Sequence, residues 1–258
     1  MKERVTSELR RIEDEHRVRV LLAVESGSRA WGFASPDSDY DVRFIYVHER
    51  DWYLSVFDAR DVIEEMLPGD LDVCGWELRK TLRLFFKCNL ALNEWLDSPI
   101  AYSEAAGFRS QLSQMIPLYF NPIAAVHHYR SMADTAFNDN YTGSHIRIKK
   151  LFYALRPLLA CRWIEHTRSQ PPTEFSKLLT PAWISEEDKR WIADLVRQKA
   201  DAAEAAPYQL SLERADGIRA ELERYKSAAS FLPAPAKAGG DRLDDLLRQW
   251  VAATDQRI

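Results

Sequence analysis

Cysteine is scarce in this chain. There are three in 258 residues, Cys74, Cys88 and Cys161, scattered and without metal-ligand spacing. A cysteine-based metal site is excluded, and the thiols read as the reduced cysteines of a cytoplasmic protein. Excess positive charge is missing too: 35 Lys and Arg stand against 39 Asp and Glu, for a net charge of −4. A phosphate-binding surface spread over the whole chain is therefore excluded, and any contact with nucleic acid has to come from a local basic patch. No apolar run approaches membrane-spanning length and the N-terminus has no signal-peptide h-region, so a cytoplasmic protein with no membrane partner is expected. Internal repeats are absent. What remains, 46% hydrophobic and 29% charged residues, is an ordinary globular composition, long enough for one large or two small domains.

What is present is concentrated in residues 21–47, LLAVESGSRAWGFASPDSDYDVRFIYV. An apolar run ends in a small-residue turn, Ser26-Gly27-Ser28. Ten residues separate Ser28 from Asp39, and a second apolar run, Val42 to Val47, follows Asp41. Residues i and i+2 of a strand face the same way, so Asp39 and Asp41 are expected to project together with Tyr40 turned away. Two carboxylates so close repel one another unless a cation lies between them. A hard divalent ion such as Mg²⁺, which takes oxygen ligands and substrate phosphates, suits that place. The turn is small enough to bring backbone N–H groups near a phosphate. Arg29-Ala30-Trp31 is expected to open a short helix whose N-terminus favours anions. Taken singly these features are ordinary: an isolated Asp-x-Asp or Gly-Ser is a loop or a turn in most chains, and Trp31 and Phe33 serve equally well in a core. Their order and spacing carry the reading.

That order resembles the signature of the DNA polymerase β-like nucleotidyltransferase superfamily: a Gly-Gly or Gly-Ser turn, a spacer, and two acidic residues flanking one position. The wording GSRAWGFASPDSDYDVRFIYV is more similar still to the branch associated with RNA ligases and RNA repair, and the resemblance covers roughly residues 18–165. It implies an α+β fold, a polymerase-β-like core of small mixed sheet and flanking helices followed by an all-helical C-terminal domain. The superfamily's third carboxylate lies on a neighbouring strand. The stretch LDVCGWELRKTL resembles family members and makes Asp72 that residue, with Asp70, two positions earlier, as the competitor. The implied roles are Asp39, Asp41 and Asp72 as catalytic residues and ligands of two Mg²⁺ (or Mn²⁺) ions. Gly27 and Ser28, with Arg29, are implied to grip the phosphates of a nucleoside triphosphate. An RNA 3′ end as acceptor and an RNA ligase in the same pathway are the implied partners.

Along the chain, Lys2 to His16 reads as an amphipathic helix, with Val5, Leu9 and Ile12 at helical spacing. Val18 to Val24, Asp41 to Val47, Asp61 to Leu67 and Leu71 to Trp76 read as strands, with Pro36-Asp37-Ser38 and Pro68-Gly69-Asp70 as turns. Glu77 suits a helix N-terminus. Leu78 to Leu96 reads as helical, with Asn89 as a breaker, and its Arg79, Lys80, Arg83 and Lys87 form either a solvated face or a contact for an RNA backbone. From about Gly107 the chain reads as wholly helical. In the helix expected over Ser144 to His166, Ser144 is the N-cap, and His145, Lys149, Tyr153 and Arg156 share one sector. That sector is either a solvated basic stripe or a surface where Lys149 and Tyr153 meet the nucleotide. Pro157 is expected to kink this helix. Ser185 opens another helix, reaching about Ala203.

The domain organisation that follows is a catalytic domain over residues 1–106, a helical domain over 107–231 closing the nucleotide cleft, a linker over 232–240, and a C-terminal amphipathic helix over 241–258. The function expected is metal-dependent transfer of a nucleoside monophosphate to an acceptor hydroxyl, an RNA 3′ end above all. Transfer to a small molecule or a protein side chain, and an inactive nucleotide-binding module, are the alternatives.

Overall fold

The computed structural model of the chain describes residues 1–35, 38–201, 207–233 and 238–255. Pro36-Asp37 in the expected turn, the end of the Ser185 helix beyond residue 201, and the middle of the 232–240 linker lie outside the described residues. The chain divides into two compact units: Met1–Ala30, Asp39–Tyr119 and Lys237–Ile258 form the first, and Trp31–Ser38 with Phe120–Ala236 the second.

The first part of the chain runs α1 (Lys2–His16), β1 (Val18–Glu25), α2 (Gly27–Trp31), β2 (Tyr40–His48), α3 (Arg50–Tyr53), β3 (Val62–Leu67), β4 (Leu71–Glu77), α4 (Leu78–Phe86), α5 (Leu90–Leu96), β5 (Ala101–Glu104), α6 (Phe108–Ser113) and α7 (Ile116–Tyr119). Next come α8 (Pro122–Asn138), β6 (His145–Arg147), α9 (Ile148–Thr167), α10 (Phe175–Leu178), α11 (Glu186–Asp201), β7 (Pro207–Gln209), α12 (Leu212–Arg224), a 3₁₀ turn over Tyr225–Ser230, and finally α13 (Asp241–Asp255). This is the mixed α+β architecture expected from the sequence.

The sheet of the first unit has strand order β3-β4-β2-β1-β5. β2 and β4 pair in parallel and every other neighbour is antiparallel. Alternation along β2 divides the core between two faces. Val42, Phe44 and Tyr46 join α1, whose Val5, Leu9 and Ile12 are buried, while Ile45 and Val47 join α4 and α5. β1 changes phase midway. A register shift between Val20 and Leu22 turns Val18 and Val20 to the α1 face but Leu22 and Val24 to the other, as a bulge does. Across the parallel pair, Gly75 lies opposite Phe44, and a side chain there would run into the Phe44 ring, 2.2 Å from the added Cβ.

Local chemistry fixes the helix ends. Glu77 caps α4 by accepting from the backbone N–H groups of Arg79 (2.8 Å) and Lys80 (3.0 Å). Cys88 adopts φ +58°, so α4 stops, and the Asn89 side chain caps α5 by accepting from Leu92 N at 2.9 Å. The break expected at Asn89 therefore separates two helices.

Two boundaries differ from the sequence reading. α6 and α7, assigned from sequence to the helical domain, bury Phe108, Leu112 and Tyr119 in the same apolar cluster as the sheet. The C-terminal helix, set apart from sequence, buries Leu243, Leu246, Trp250 and Val251 there as well. A fully buried side chain of this size contributes about 1.5–3 kcal/mol, so these amphipathic segments gain most by covering the sheet.

The second unit is built on the packed pair α8 and α9, but its described residues are not wholly helical: β6 and β7 form a two-stranded ribbon in which His145 pairs with Gln209. Gly143, at φ +86°, turns the chain into that ribbon. Ser144 Oγ contacts the His145 ring at 2.8 Å rather than a helix N–H, and α9 starts only at Ile148. His145 thus drops out of the expected helical sector. Arg156 also leaves the expected sector, whether read as a solvated stripe or as a nucleotide surface: it is buried, its Nε and Nη2 donate to Thr173 O at 3.4 and 3.2 Å, and its guanidinium lies 4.4 Å from the Trp31 ring. α9 continues through Pro157 as one helix.

Candidate active site

The parallel register of β2 and β4 sets Asp41 directly opposite Asp72, near the start of both strands. Asp70 is not in that register. It sits in the preceding turn at φ +55°, with its carbonyl accepting from Tyr40 N at 2.8 Å. Period-two alternation also puts Arg43 on the Asp41 face. Its Nη2 donates to Asp41 Oδ1 at 3.0 Å and to Asp72 Oδ2 at 2.7 Å, and its Nη1 donates to the Val42 and Asp72 carbonyls at 3.1 and 3.3 Å. One guanidinium therefore stands between the two carboxylates as their shared counter-charge.

The glycine turn is pressed against the same acid. Ser26 N donates to Asp41 O at 2.8 Å. Gly27 has φ +60°, and a Cβ added there would lie 2.3 Å from Asp41 Oδ2. Only glycine suits both the left-handed backbone and this approach. Ser28 is buried in the first turn of α2.

Behind Asp41 stands Glu25, fully buried at the end of β1. Its Oε1 accepts from Asp41 N at 2.9 Å, its Oε2 accepts from the Tyr102 hydroxyl, and its carbonyl accepts from Ser98 Oγ at 2.6 Å. Burial raises the Glu25 carboxyl above the usual range, opposed by the Tyr102 and Asp41 hydrogen bonds. The Tyr102 hydroxyl is raised by burial and by its bond to Glu25. Glu25 is thus a positioning group, tying the β2 backbone at Asp41 to β1.

Asp39 is exposed, one residue before β2. Its carbonyl accepts from Arg29 Nε at 3.1 Å, and the Arg29 guanidinium lies 3.7 Å from the Tyr40 ring. Asp39, Asp41 and Asp72 do not bring one oxygen each within 4.8 Å of one another. Among the described residues, the set that meets this spacing is Glu15, His16 and Glu65, on the α1 and β3 side and unrelated to the glycine turn. The donor chemistry of Asp41 and Asp72 nevertheless fits a hard divalent cation. Both offer half-exposed carboxylate oxygens, and a cationic group already stands between them.

Lys149 and Tyr153 lie on α9 of the second unit. Lys149 is half-buried, and Tyr153 meets the Trp31 ring edge-on at 5.3 Å. Sequence reasoning missed Glu25, Arg43 and Tyr102. Arg43 was within reach of the same i, i+2 rule that paired Asp39 with Asp41. Glu25 carried a signal as well, a lone carboxylate closing an apolar strand.

The sequence pattern of the RNA repair pathway DNA polymerase beta family (RlaP) matches residues 1–249. The chain belongs to that family. It thereby joins the polymerase-β-like nucleotidyltransferases, in an RNA-repair context. It is also 46% identical over 256 residues to the uncharacterized protein YcgL of Bacillus subtilis (strain 168), covering 97% of this chain and 96% of that one. Among solved structures it matches a nucleotidyltransferase-like protein from Exiguobacterium sibiricum 255-15 at 12% identity, with a TM-score of 0.31, over 95% of this chain and 80% of that one. At that score the likeness carries no argument. No helix among the described residues is long and apolar enough to cross a membrane.

Proposed function

We propose that this family member is a metal-dependent nucleotidyltransferase that moves a nucleoside monophosphate from a nucleoside triphosphate to an acceptor hydroxyl, an RNA 3′ end. The observation that carries the reading is the glycine turn packed against Asp41, with Asp41 in register with Asp72. The glycine turn and a pair of carboxylates thus sit side by side.

Asp41 and Asp72, joined by Asp39, would hold Mg²⁺ or Mn²⁺. When bound, such ions lower the pKa of an attacking hydroxyl and neutralise charge on the triphosphate. The chain's own residues do the positioning, which is most of what phosphoryl-type transfer requires. The Gly27–Ser28 turn offers backbone N–H groups to the β- and γ-phosphates, with Arg29 beside it. Glu25 keeps Asp41 at its height on the strand. The acceptor hydroxyl forms a bond to the α-phosphorus as the bond to pyrophosphate breaks, and its proton leaves to solvent. No histidine base is required.

The test supplies each α-labelled nucleoside triphosphate in turn, with Mg²⁺ or Mn²⁺ and short RNAs bearing a free 3′-hydroxyl, to the intact protein and to an Asp39→Ala/Asp41→Ala variant. Label on RNA from the intact protein alone is the expected result, and it names the nucleotide. Pyrophosphate release without labelled RNA moves the acceptor to a small molecule or a protein side chain. Nucleotide binding without turnover replaces the enzyme with a binding module.

A further inference from the structure

Two adjoining grooves, about 400 and 420 Å³, run along α4 and α13 in the first unit, sharing Arg79 and Leu247 in their walls. Their cations are Arg50, Arg79, Arg83, Lys87 and Arg248, against the acids Asp244 and Asp255. Arg50 is paired with Asp255 and Arg248 with Asp245. Arg83 and Lys87 are exposed and have no ion-pair partner among the described residues. Arg79 donates to the Tyr53 carbonyl at 3.3 Å, lies 4.8 Å from the Tyr53 ring and faces the Glu77 carboxylate electrostatically.

Residues 79, 83 and 87 are spaced by four, so they form one row along α4 and its C-cap with a rise of about 6 Å between neighbours. That step is comparable to the separation of successive phosphates on an extended nucleic-acid strand. The grooves are also apolar where a base would lie. Phe86 is 49% exposed on α4 and lines one groove. In a chain of net charge −4, a row of cations, two of them without an ion-pair partner among the described residues, beside an exposed aromatic is the local basic patch that nucleic-acid binding would need. A duplex reader would need a broad basic face; a single row with a stacking platform suits an unpaired strand.

We propose that the α4–α13 groove is a binding track for single-stranded RNA, with Arg79, Arg83 and Lys87 on successive phosphates and Phe86 under a base. It lies apart from the acid pair: Asp72 opens β4, whereas the Glu77 cap of α4 closes it, roughly 17 Å of strand away. The choice of RNA rests on the RNA-directed reading of the acid site, but the track itself does not require turnover.

The experiment measures fluorescence anisotropy of a labelled single-stranded oligoribonucleotide without nucleotide, across a salt series. It compares the full-length protein with Arg83→Ala/Lys87→Ala, Phe86→Ala, Arg83→Lys/Lys87→Arg and Asp41→Asn/Asp72→Asn. The alanine pair is expected to bind at least about tenfold more weakly and to lower the salt slope by about 1.4, the share of two phosphates on a single strand. Phe86→Ala weakens binding without changing the slope. The exchanged pair retains binding, which separates lost charge from lost structure. The acid variant binds like the intact protein, so a failed transferase reading and a failed track give different results. An alanine pair that binds with unchanged affinity and slope, or an intact protein that binds no RNA, overturns the proposal and leaves the groove to an acidic protein partner.

Discussion

Replacing Arg43 with glutamine removes the guanidinium that Asp41 and Asp72 share and leaves two carboxylates facing each other across β2 and β4. Hydrogen bonds to charged groups contribute about 1.5–3 kcal/mol each when buried, whereas exposed ion pairs contribute less than about 1 kcal/mol. The Asp41 and Asp72 side chains are 31% and 33% exposed and that of Arg43 is 19%, so each contact falls between these limits. Losing both predicts a destabilisation of about 2 kcal/mol near neutral pH without divalent ions. The residual repulsion acts in the same direction. Divalent ions narrow the gap. In the intact protein an ion must displace Arg43 from the carboxylates, and in the variant it need not. If about 1.4 kcal/mol of that displacement is spared, Mn²⁺ binds Arg43→Gln about tenfold more tightly. Ion at a hundredfold above the variant's dissociation constant then adds about 2.7 kcal/mol to the variant and about 1.4 kcal/mol to the intact protein, so the gap between them closes to about 0.7 kcal/mol. Urea denaturation with and without Mg²⁺ and titration of Mn²⁺ by electron paramagnetic resonance read both quantities. A variant as stable as the intact protein without ions, or one that binds Mn²⁺ no more tightly, refutes Arg43 as the internal counter-cation.

Gly27→Ala should cost about 1–2 kcal/mol from the left-handed backbone alone and abolish transfer by driving Asp41 aside, read by denaturation and the labelling assay. Asp41→Asn should abolish transfer while circular dichroism and melting show an intact fold, since asparagine still accepts from Arg43. Burial, with His16 adding to it, brings His48 down to about 4. Its folded value is below the unfolded one, so its stabilisation is present above about pH 6.5 and is lost as pH falls towards 4, about 1–2 kcal/mol after allowance for partial exposure. His48→Phe keeps the stack on Trp52 and should flatten that part of a stability–pH profile. Arg156→Ala strips two hydrogen bonds from the Thr173 carbonyl and a cation from the Trp31 ring. It should destabilise the second unit by about 2–4 kcal/mol, measured as earlier melting.

The elements legible in the sequence were those whose burial follows one period. α1 shows its stripe at Val5, Leu9 and Ile12, and the strands show as apolar runs between turns. Unit membership was not legible, because it depends on which surface an amphipathic stripe finally covers. Leu243, Leu246 and Trp250 read identically whether α13 packs on its own sheet or on another chain, and only the tertiary structure puts them with Ile45 and Val47. β6 escaped for the opposite reason. A three-residue ribbon strand carries too few alternations to compete with the helical pattern of α9, and its partner β7 lies some sixty residues downstream.

At the candidate site the limit was of another kind. Asp39, Asp41 and Gly27 could be named because carboxylate pairs and glycine turns carry chemistry whatever surrounds them. Arg43 and Glu25 gain their meaning only from register. Arg43 reaches Asp72 because β2 and β4 are parallel and aligned residue for residue. Slipped by one residue, the same sequence would set Asp72 beside Tyr40 or Val42 and leave Arg43 with Asp41 alone. Glu25 reaches Asp41 N because β1 ends where β2 begins its pairing, with Val42 opposite Glu25. In both cases the missing information was the alignment of two strands. Once that alignment is known, the i, i+2 rule that paired the aspartates in the sequence also brings in the arginine between them.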